Sequence, residues 1–328
     1  MASRFFSFMA MLAMADLVHA QTPAPPPAPA PHEGAAPDKG DLGFVIPSLT
    51  VPVMINGRGP FQFAIDSGST TTLISEELAD RLQLPDGKSV RVHAMGGVAR
   101  IRTVKIDRIE VSANKQNNIE LAAVPGANLD ADGLVGLNLL KDQRIVMDFR
   151  ERSIRIEPSA APKEPPPGEE MAGETSEIVV TARKRHGQLV MVDADANGQK
   201  IWVIVDSGSQ ASVGNIRLMQ LLVKRAPATK ILPISLKDVI GRQTDAQYTY
   251  VDRLRVGGVA LGNVPIAFAD VHPFSLFDLK QKPSLLLGME TLQIFNRVTI
   301  DFPSRKVSFQ LARDKITPNW NGRSPPPK

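Results

Sequence analysis

The chain has 328 residues, 43% of them hydrophobic and 22% charged, with a formal net charge of +4. That is the composition of a globular protein with room for about two domains. Its basic residues are scattered and it has only two Trp and two Tyr, which excludes a nucleic-acid surface built on clustered cations and stacking rings. The absence of cysteine removes disulfides, thiol nucleophiles, cysteine metal sites and a lipid anchor on Cys.

In chain order, Arg4, the apolar run Phe5–Ala15 and the segment Val18-His19-Ala20 read as an export signal over 1–20, too short to span a bilayer. The mature protein is therefore expected in the periplasm or secreted, with no integral membrane segment left. Residues 21–40 form a Pro/Ala-rich tract that cannot bury a core and reads as a disordered tether.

The first globular unit is expected over 41–157. Its opening, VPVMINGRGPFQFAID, has two β-like runs around Asn56-Gly57, a strong hairpin signal. Phe61–Ser75, FQFAIDSGSTTTLIS, then delivers Asp66 at the end of an apolar strand into Ser67-Gly68-Ser69. Ser75 is a natural N-cap for a short helix over Ser75–Leu84. Gly96-Gly97, within HAMGGVAR, marks a hairpin tip, and strands are expected at Arg102–Val111 and Ile119–Val124. Asp132–Ile156 follows, with an apolar run ending in Gly136, a short helical segment and Met147-Asp148-Phe149.

A Pro/Glu-rich stretch over 158–176 reads as a linker. The second unit, expected over 177–313, repeats the first. Glu177–Arg185 reads as its first strand, and Asn197-Gly198 turns its hairpin. Ile201–Val213, IWVIVDSGSQASV, places Asp206 before Ser207-Gly208-Ser209. Val239-Ile240-Gly241-Arg242 is the counterpart of the first tip, with strands expected through Tyr248 and Tyr250, at Arg253–Val256 and at Val264–Phe268. An apolar run ends in Gly288 and leads to Ile300-Asp301-Phe302. Gly136 to Asp148 is 12 positions and Gly288 to Asp301 is 13, so the repeat spans most of the chain. The tail, 314–328, is expected to be disordered.

One Asp-Ser-Gly is an ordinary turn; two, with matching flanks, point to a site assembled from two copies of one unit. If the turns meet at a pseudo-twofold axis, Asp66 and Asp206 share one proton. The ionised carboxyl then takes a proton from a water that attacks a carbonyl, and the other protonates the carbonyl oxygen. Gly68 and Gly208 permit close backbone approach. Ser67 and Ser207 are placed to bond across the axis, Ser69 and Ser209 to orient the carboxylates, and Gly136 and Gly288 to pack beneath them. No cofactor or metal is called for: His19, His32, His93, His186 and His272 never approach metal-ligand spacing. Asp148 and Asp301 read as strand ends before tight turns rather than as extra acids. There is no G-x-S-x-G elbow for serine hydrolysis.

AIDSGSTTTLIS with DGLVGLNLL, and VIVDSGSQASVG with SLLLGMETL, resemble the retropepsin-like aspartic proteases of bacteria, in a two-lobed single-chain form. The resemblance implies an all-β fold of two barrel-like lobes with short helices, related by a pseudo-twofold axis. It implies endopeptidase activity on protein or peptide substrates, with Asp66 and Asp206 as the catalytic pair. It also implies a substrate-binding flap from each lobe, here at Met95, Gly96 and Gly97 and at Ile240 and Gly241. The second motif continues with polar Gln210-Ala211-Ser212 where an apolar run is the family habit. Two further readings stay open: a peptide-binding or scaffolding protein of the same fold with a weak or absent active site, and lobes that pair between chains in a homo-oligomer instead of within a monomer.

Overall fold

A computed structural model of the chain describes residues 49–159, 175–185, 188–191, 193–227 and 230–312. The expected signal at 1–20, tether at 21–40 and tail at 314–328 lie outside the described residues, as does most of the expected linker at 158–176.

Lobe one opens with β1 (Thr50–Ile55) and β2 (Arg58–Ile65). Val51, Val53 and Ile55 point inward, the period-two pattern of a half-buried strand. Asn56 and Gly57 both have positive φ, 50° and 73°, the two-residue turn that matches strand twist. After the first acid come β3 (Leu73–Ser75) and α1 (Glu76–Arg81). The Ser75 hydroxyl caps α1 by accepting the Leu78 amide at 3.1 Å. β4 (Val90–Ala94) and β5 (Gly97–Ile101) form a separate hairpin, and β6 (Thr103–Val111) and β7 (Asn114–Val124) a longer one. β7 begins before the expected Ile119 because its polar half, NKQNN, pairs with the outer half of β6 without any apolar alternation to announce it. β8 (Gly133–Val135) completes a closed barrel, β1-β2-β8-β3-β7-β6, and is followed by α2 (Leu137–Leu140). β9 (Gln143–Asp148) and β10 (Ser153–Pro158) leave the barrel as a hairpin.

The chain resumes with β11 (Thr175–Thr181), β12 (Arg183–Arg185), β13 (Gln188–Met191), β14 (Ala194–Ala196) and β15 (Gln199–Lys200). β16 (Trp202–Val205) carries the second acid at its end, before β17 (Val213–Gly214) and α3 (Ile216–Arg225). β18 (Leu232–Lys237), β19 (Gln243–Val256) and β20 (Val259–Phe268) run in antiparallel order, then α4 (His272–Leu276), β21 (Ser284–Leu287) and α5 (Met289–Leu292). β22 (Arg297–Asp301) and β23 (Lys306–Ala312) close the described chain. The order β16-β21-β17-β20-β19 repeats β2-β8-β3-β7-β6 of lobe one. The place of β1 is shared by β13, paired with β16, and β14, paired with β19.

The strand expected at Arg253–Val256 is the end of one 14-residue strand, β19. The charged pair Asp252-Arg253 breaks the apolar alternation, and the ladder skips Asp252 without ending. Lobe one does the same at Asp107-Arg108. In both lobes the hairpin asparagine holds the irregularity. The Asn56 amide donates to the Arg108 carbonyl at 2.8 Å and its side chain accepts the Arg108 amide at 2.9 Å. Asn197 binds Arg253 in the same two ways, at 2.8 and 2.9 Å.

A five-stranded sheet, β10-β9-β22-β23-β11, joins the lobes. The segment expected to open lobe two therefore divides: β11 lies at the edge of this shared sheet on β23, and only β12 joins the ten-stranded sheet of lobe two, which among the described residues stays open where lobe one closes into a barrel. β9 and β22 are equivalent strands of the two lobes, paired antiparallel with Asp148 opposite Arg297 and Arg144 opposite Asp301. One apolar core runs from Phe63 and Ile106 through Ile145, Val298 and Phe309 to Val203 and Leu285. Asp148 and Asp301 do end strands before turns, accepting the amides of Glu151 and Ser304, each at 3.0 Å. They also face the other lobe. Arg297 donates to Asp148 at 2.6 and 3.0 Å, whereas Asp301 accepts the Ser159 hydroxyl at 2.8 Å.

Burial pushes the Asp148 carboxyl up, but the Arg297 guanidinium and the Glu151 amide outweigh it and hold the group below the usual carboxylate range. A lowered folded-state pKa gives stability that is present above the ordinary carboxylate pKa and lost as pH falls through the folded value. Arg297→Met is expected to cost about 2 kcal/mol at neutral pH, discounted because the guanidinium is part-exposed. The penalty should shrink below about pH 4 as Asp148 takes up a proton, which urea melts of the two proteins at pH 3.5 and 7 would measure.

Candidate active site

Each acid stands at the end of a strand whose neighbour is threaded between two others. β8 lies parallel to β2 and antiparallel to β3; β21 lies parallel to β16 and antiparallel to β17. The Asp66 amide donates to Val135 and the Leu137 amide to Ser69, at 3.0 and 2.9 Å. The Asp206 amide donates to Leu287 and the Met289 amide to Ser209, again at 3.0 and 2.9 Å. Gly136 and Gly288 sit where these contacts converge. A Cβ at Gly136 would lie 2.5 Å from the Thr71 carbonyl oxygen, and one at Gly288 would fall on the Ala211 carbonyl, so no side chain fits at either.

Two buried hydroxyls under the turns went unmarked in the sequence. Thr72 Oγ1 accepts the Gly136 amide at 3.1 Å and donates to Asn138 Oδ1 at 2.7 Å. Ser212 Oγ accepts the Gly288 amide at 3.0 Å and meets Thr291 Oγ1 at 2.8 Å. The polar run Gln210-Ala211-Ser212 thus supplies a hydroxyl in the position of Thr72, and its polarity is part of the repeat.

The two turns meet. The Ser67 hydroxyl donates to the Val205 carbonyl at 2.9 Å, and the Ser207 hydroxyl donates to Ile65 at 2.8 Å. In return the Ser67 amide donates to Ser207 Oγ at 3.0 Å and the Ser207 amide to Ser67 Oγ at 3.1 Å. This exchange is symmetric about the axis between the lobes. It carries the opposite carboxylate onto each glycine: a Cβ at Gly68 would fall on the Asp206 carboxyl, and one at Gly208 on that of Asp66. Asp66 Oδ1 accepts the Gly68 and Ser69 amides at 2.9 and 2.8 Å, and Asp206 Oδ1 the Gly208 amide at 3.2 Å. The Ser69 and Ser209 hydroxyls do not bind the carboxylates. They turn to the Thr71 and Ala211 carbonyls, at 2.9 and 2.8 Å, so Ser69 supports Asp66 through its amide.

Both carboxyls are nearly out of solvent, at 9% and 7% exposure. Burial raises both above the usual carboxylate range, the adjacent Asp66 charge raises Asp206 further, and the turn amides oppose the shift. Two such groups side by side bind one proton between them over a wide pH range.

Two hairpins cover the acids. The β4–β5 tip holds Met95, Gly96 and Gly97 (φ 126°), and the β18–β19 tip spans Asp238–Arg242 with Gly241 at φ 80°. They enclose a cavity of about 390 Å³ lined by Asp66, Asp206, Met95, Leu129, Val239 and Met289 among others. Of the expected flap residues only Met95 lines this cavity. Gly96, Gly97 and Gly241 serve the turns, and Ile240 packs with Val239 against an apolar cluster of lobe one around Leu73 and Leu134.

Asp238 and His272, given no role at this site from the sequence, help tie the flaps down. The Gly96 amide donates to Asp238 Oδ2 at 2.9 Å, Arg242 Nη2 donates to the Val98 carbonyl at 3.1 Å, and the His272 amide donates to Met95 at 2.9 Å. His93 Nδ1 and His272 Nε2 lie 2.7 Å apart, with the rings stacked at 5.0 Å. Asp238 was legible in part, as an Asp opening a glycine turn; His272, far along the chain, gave no signal. Tyr248 is buried and Tyr250 exposed, and neither lines the cavity. Among the described residues, no group of three or more His, Asp or Glu side chains is arranged to hold a metal ion.

Residues 51–142 match the family model described as "gag-polyprotein putative aspartyl protease", and residues 192–291 the model described as "Aspartyl protease". A solved structure, a retropepsin-like aspartic protease from Rickettsia conorii, is similar at 20% identity over 42% of this chain and 91% of its own, with a TM-score of 0.29. No curated protein matches the chain. The two family matches fall one in each lobe and together take in more than half of the sequence. The chain belongs to the retropepsin-like aspartyl proteases, with two such domains in tandem.

Because their pKa values are raised, the folded carboxyls keep protons that the unfolded chain has released, so stability falls as pH rises from about 4 to 7. Asp206→Asn removes part of that loss while keeping an oxygen for the Gly208 amide. Its melting temperature should exceed that of the wild type by roughly 5 °C at pH 7 and match it at pH 3.5, by calorimetry.

Proposed function

We propose that the chain is an exported aspartic endopeptidase acting on protein or peptide substrates, with Asp66 and Asp206 as its catalytic pair. One observation carries this reading: the serine exchange brings a buried carboxylate from each lobe against the turn of the other. With one proton shared, the ionised carboxylate takes a proton from a water held between the two, and the water oxygen attacks the scissile carbonyl carbon. The protonated carboxyl donates to the carbonyl oxygen, giving a neutral tetrahedral diol. One carboxyl then protonates the leaving nitrogen while the other takes a hydroxyl proton from the diol, so the C–N bond breaks, the acid product forms and the pair again holds one proton. The cavity walls exclude bulk water, which strengthens each electrostatic contact.

Both acids come from one chain, which supports a monomer whose lobes act as an internal pair. The leader-like residues 1–20 support a place in the periplasm or outside the cell. Both limbs of the pH profile should come from the pair: activity falls at low pH when the second carboxyl is protonated and at high pH when the shared proton leaves.

The test is cleavage of a mixed peptide library between pH 3 and 8 by residues 21–328 of the wild type, Asp66→Asn and Asp206→Asn. Each substitution alone should lower kcat/KM by about 10³-fold or more. Folded wild type that cleaves nothing at any pH would favour the binding or scaffolding protein. Loss in Asp66→Asn alone would favour pairing between chains.

A further inference from the structure

The cleft holds a third buried acid. Asp238 is 8% exposed and lines the same cavity as Asp66 and Asp206. Its two oxygens serve different lobes. Oδ1 accepts the amides of Ile240 and Arg242 in its own turn, at 3.1 and 2.8 Å. Oδ2 accepts the Gly96 amide at the tip of the opposite flap, at 2.9 Å. Arg242 completes the contact through the Val98 carbonyl, at 3.1 Å. The fit is close: a Cβ on Gly96 would lie 3.0 Å from Asp238 Oδ2 and 3.1 Å from Arg242 Cβ.

A turn of this kind needs one side-chain oxygen for its own amides, and Asn or Ser supplies that as well as Asp. What only a carboxylate offers is a second, charged acceptor aimed away from the turn, and charged acceptors make the stronger hydrogen bonds. Here that acceptor spans the cleft above the two catalytic candidates. We infer that Asp238 is a positioning residue that latches the flap of lobe one to the flap of lobe two, holding Met95 and Val239 over a bound peptide. The inference rests on the protease reading of this cleft. It assigns Asp238 no part in proton transfer. The His93–His272 contact and the His272 amide bind the same flap independently, so loss of Asp238 loosens the flap without freeing it.

Hydrogen–deuterium exchange over residues 93–101, read beside peptide cleavage, tests this in residues 21–328. Asp238→Asn keeps one oxygen for Ile240 and Arg242 and turns an NH₂ toward the Gly96 amide; Arg242→Met removes the other cross-flap bond and leaves Asp238 intact. In each variant, exchange of the 93–101 hairpin should rise roughly tenfold. KM should rise by a similar factor, with kcat within about threefold and the pH profile unmoved, because the latch holds substrate and transition state alike. Unchanged exchange in both variants overturns the latch, whatever the activity. Raised exchange with unchanged KM overturns the positioning role. A wild type that cleaves nothing, with exchange still raised in the variants, contradicts the protease reading and leaves the flap contact standing.

Discussion

Two serines hold the site together. Ser67 and Ser207 each give a hydroxyl proton to a backbone carbonyl of the other lobe and each accept the other's amide. Each bond contributes only about 1 kcal/mol net, but the four are buried or part-buried and close on one another, so their geometric effect exceeds their energy. They set how near Asp66 and Asp206 lie, and nearness decides whether the carboxyls titrate separately or as a pair. Gly68 and Gly208 follow from the same constraint, since any side chain there would displace the opposite carboxylate.

The rest of the molecule keeps that meeting point fixed. Within each lobe a buried strand pins the acid turn from below, and a buried hydroxyl, Thr72 or Ser212, locks the glycine of that strand. Between lobes, β9 and β22 pair about the same two-fold relation and carry one core through both halves. The symmetry holds where it positions the acids and relaxes elsewhere. Asp148 takes an arginine across the sheet while Asp301 takes a serine hydroxyl. One flap offers Met95 and His93, the other Asp238 and Arg242. On the proposed protease reading, such divergence between equivalent positions suits a cleft for a peptide, which has a direction, under a scaffold that has none.

Much of this was legible because the chain says it twice. Asn56-Gly57 and Asn197-Gly198 announce hairpins through their backbone preference, Ser75 announces a helix start, and the two Asp-Ser-Gly turns stand out by their shared flanks. Local rules reach as far as each lobe. They do not reach contacts that depend on the lobes facing each other: the roles of Asp238 and His272 come from partners 142 and 179 residues away in sequence. Strand length was misread where polarity hid it, in the NKQNN half of β7 and at Asp252-Arg253 in β19. Ser69 acts on Asp66 through its amide, a group common to all residues but proline, while its hydroxyl binds the Thr71 carbonyl, so the residue type alone does not reveal which group acts.

The central claim is that the fold makes one proton-sharing pair from an acid in each lobe. Carbon-13 NMR of the aspartate carboxyls, followed from pH 2 to 9, reads it directly. The account predicts that the Asp66 and Asp206 signals move together in two well-separated steps, and that Asp206→Asn leaves Asp66 with one step close to the lower of the two. Two independent titrations near the ordinary carboxylate pKa, with Asp66 indifferent to the loss of Asp206, would contradict it.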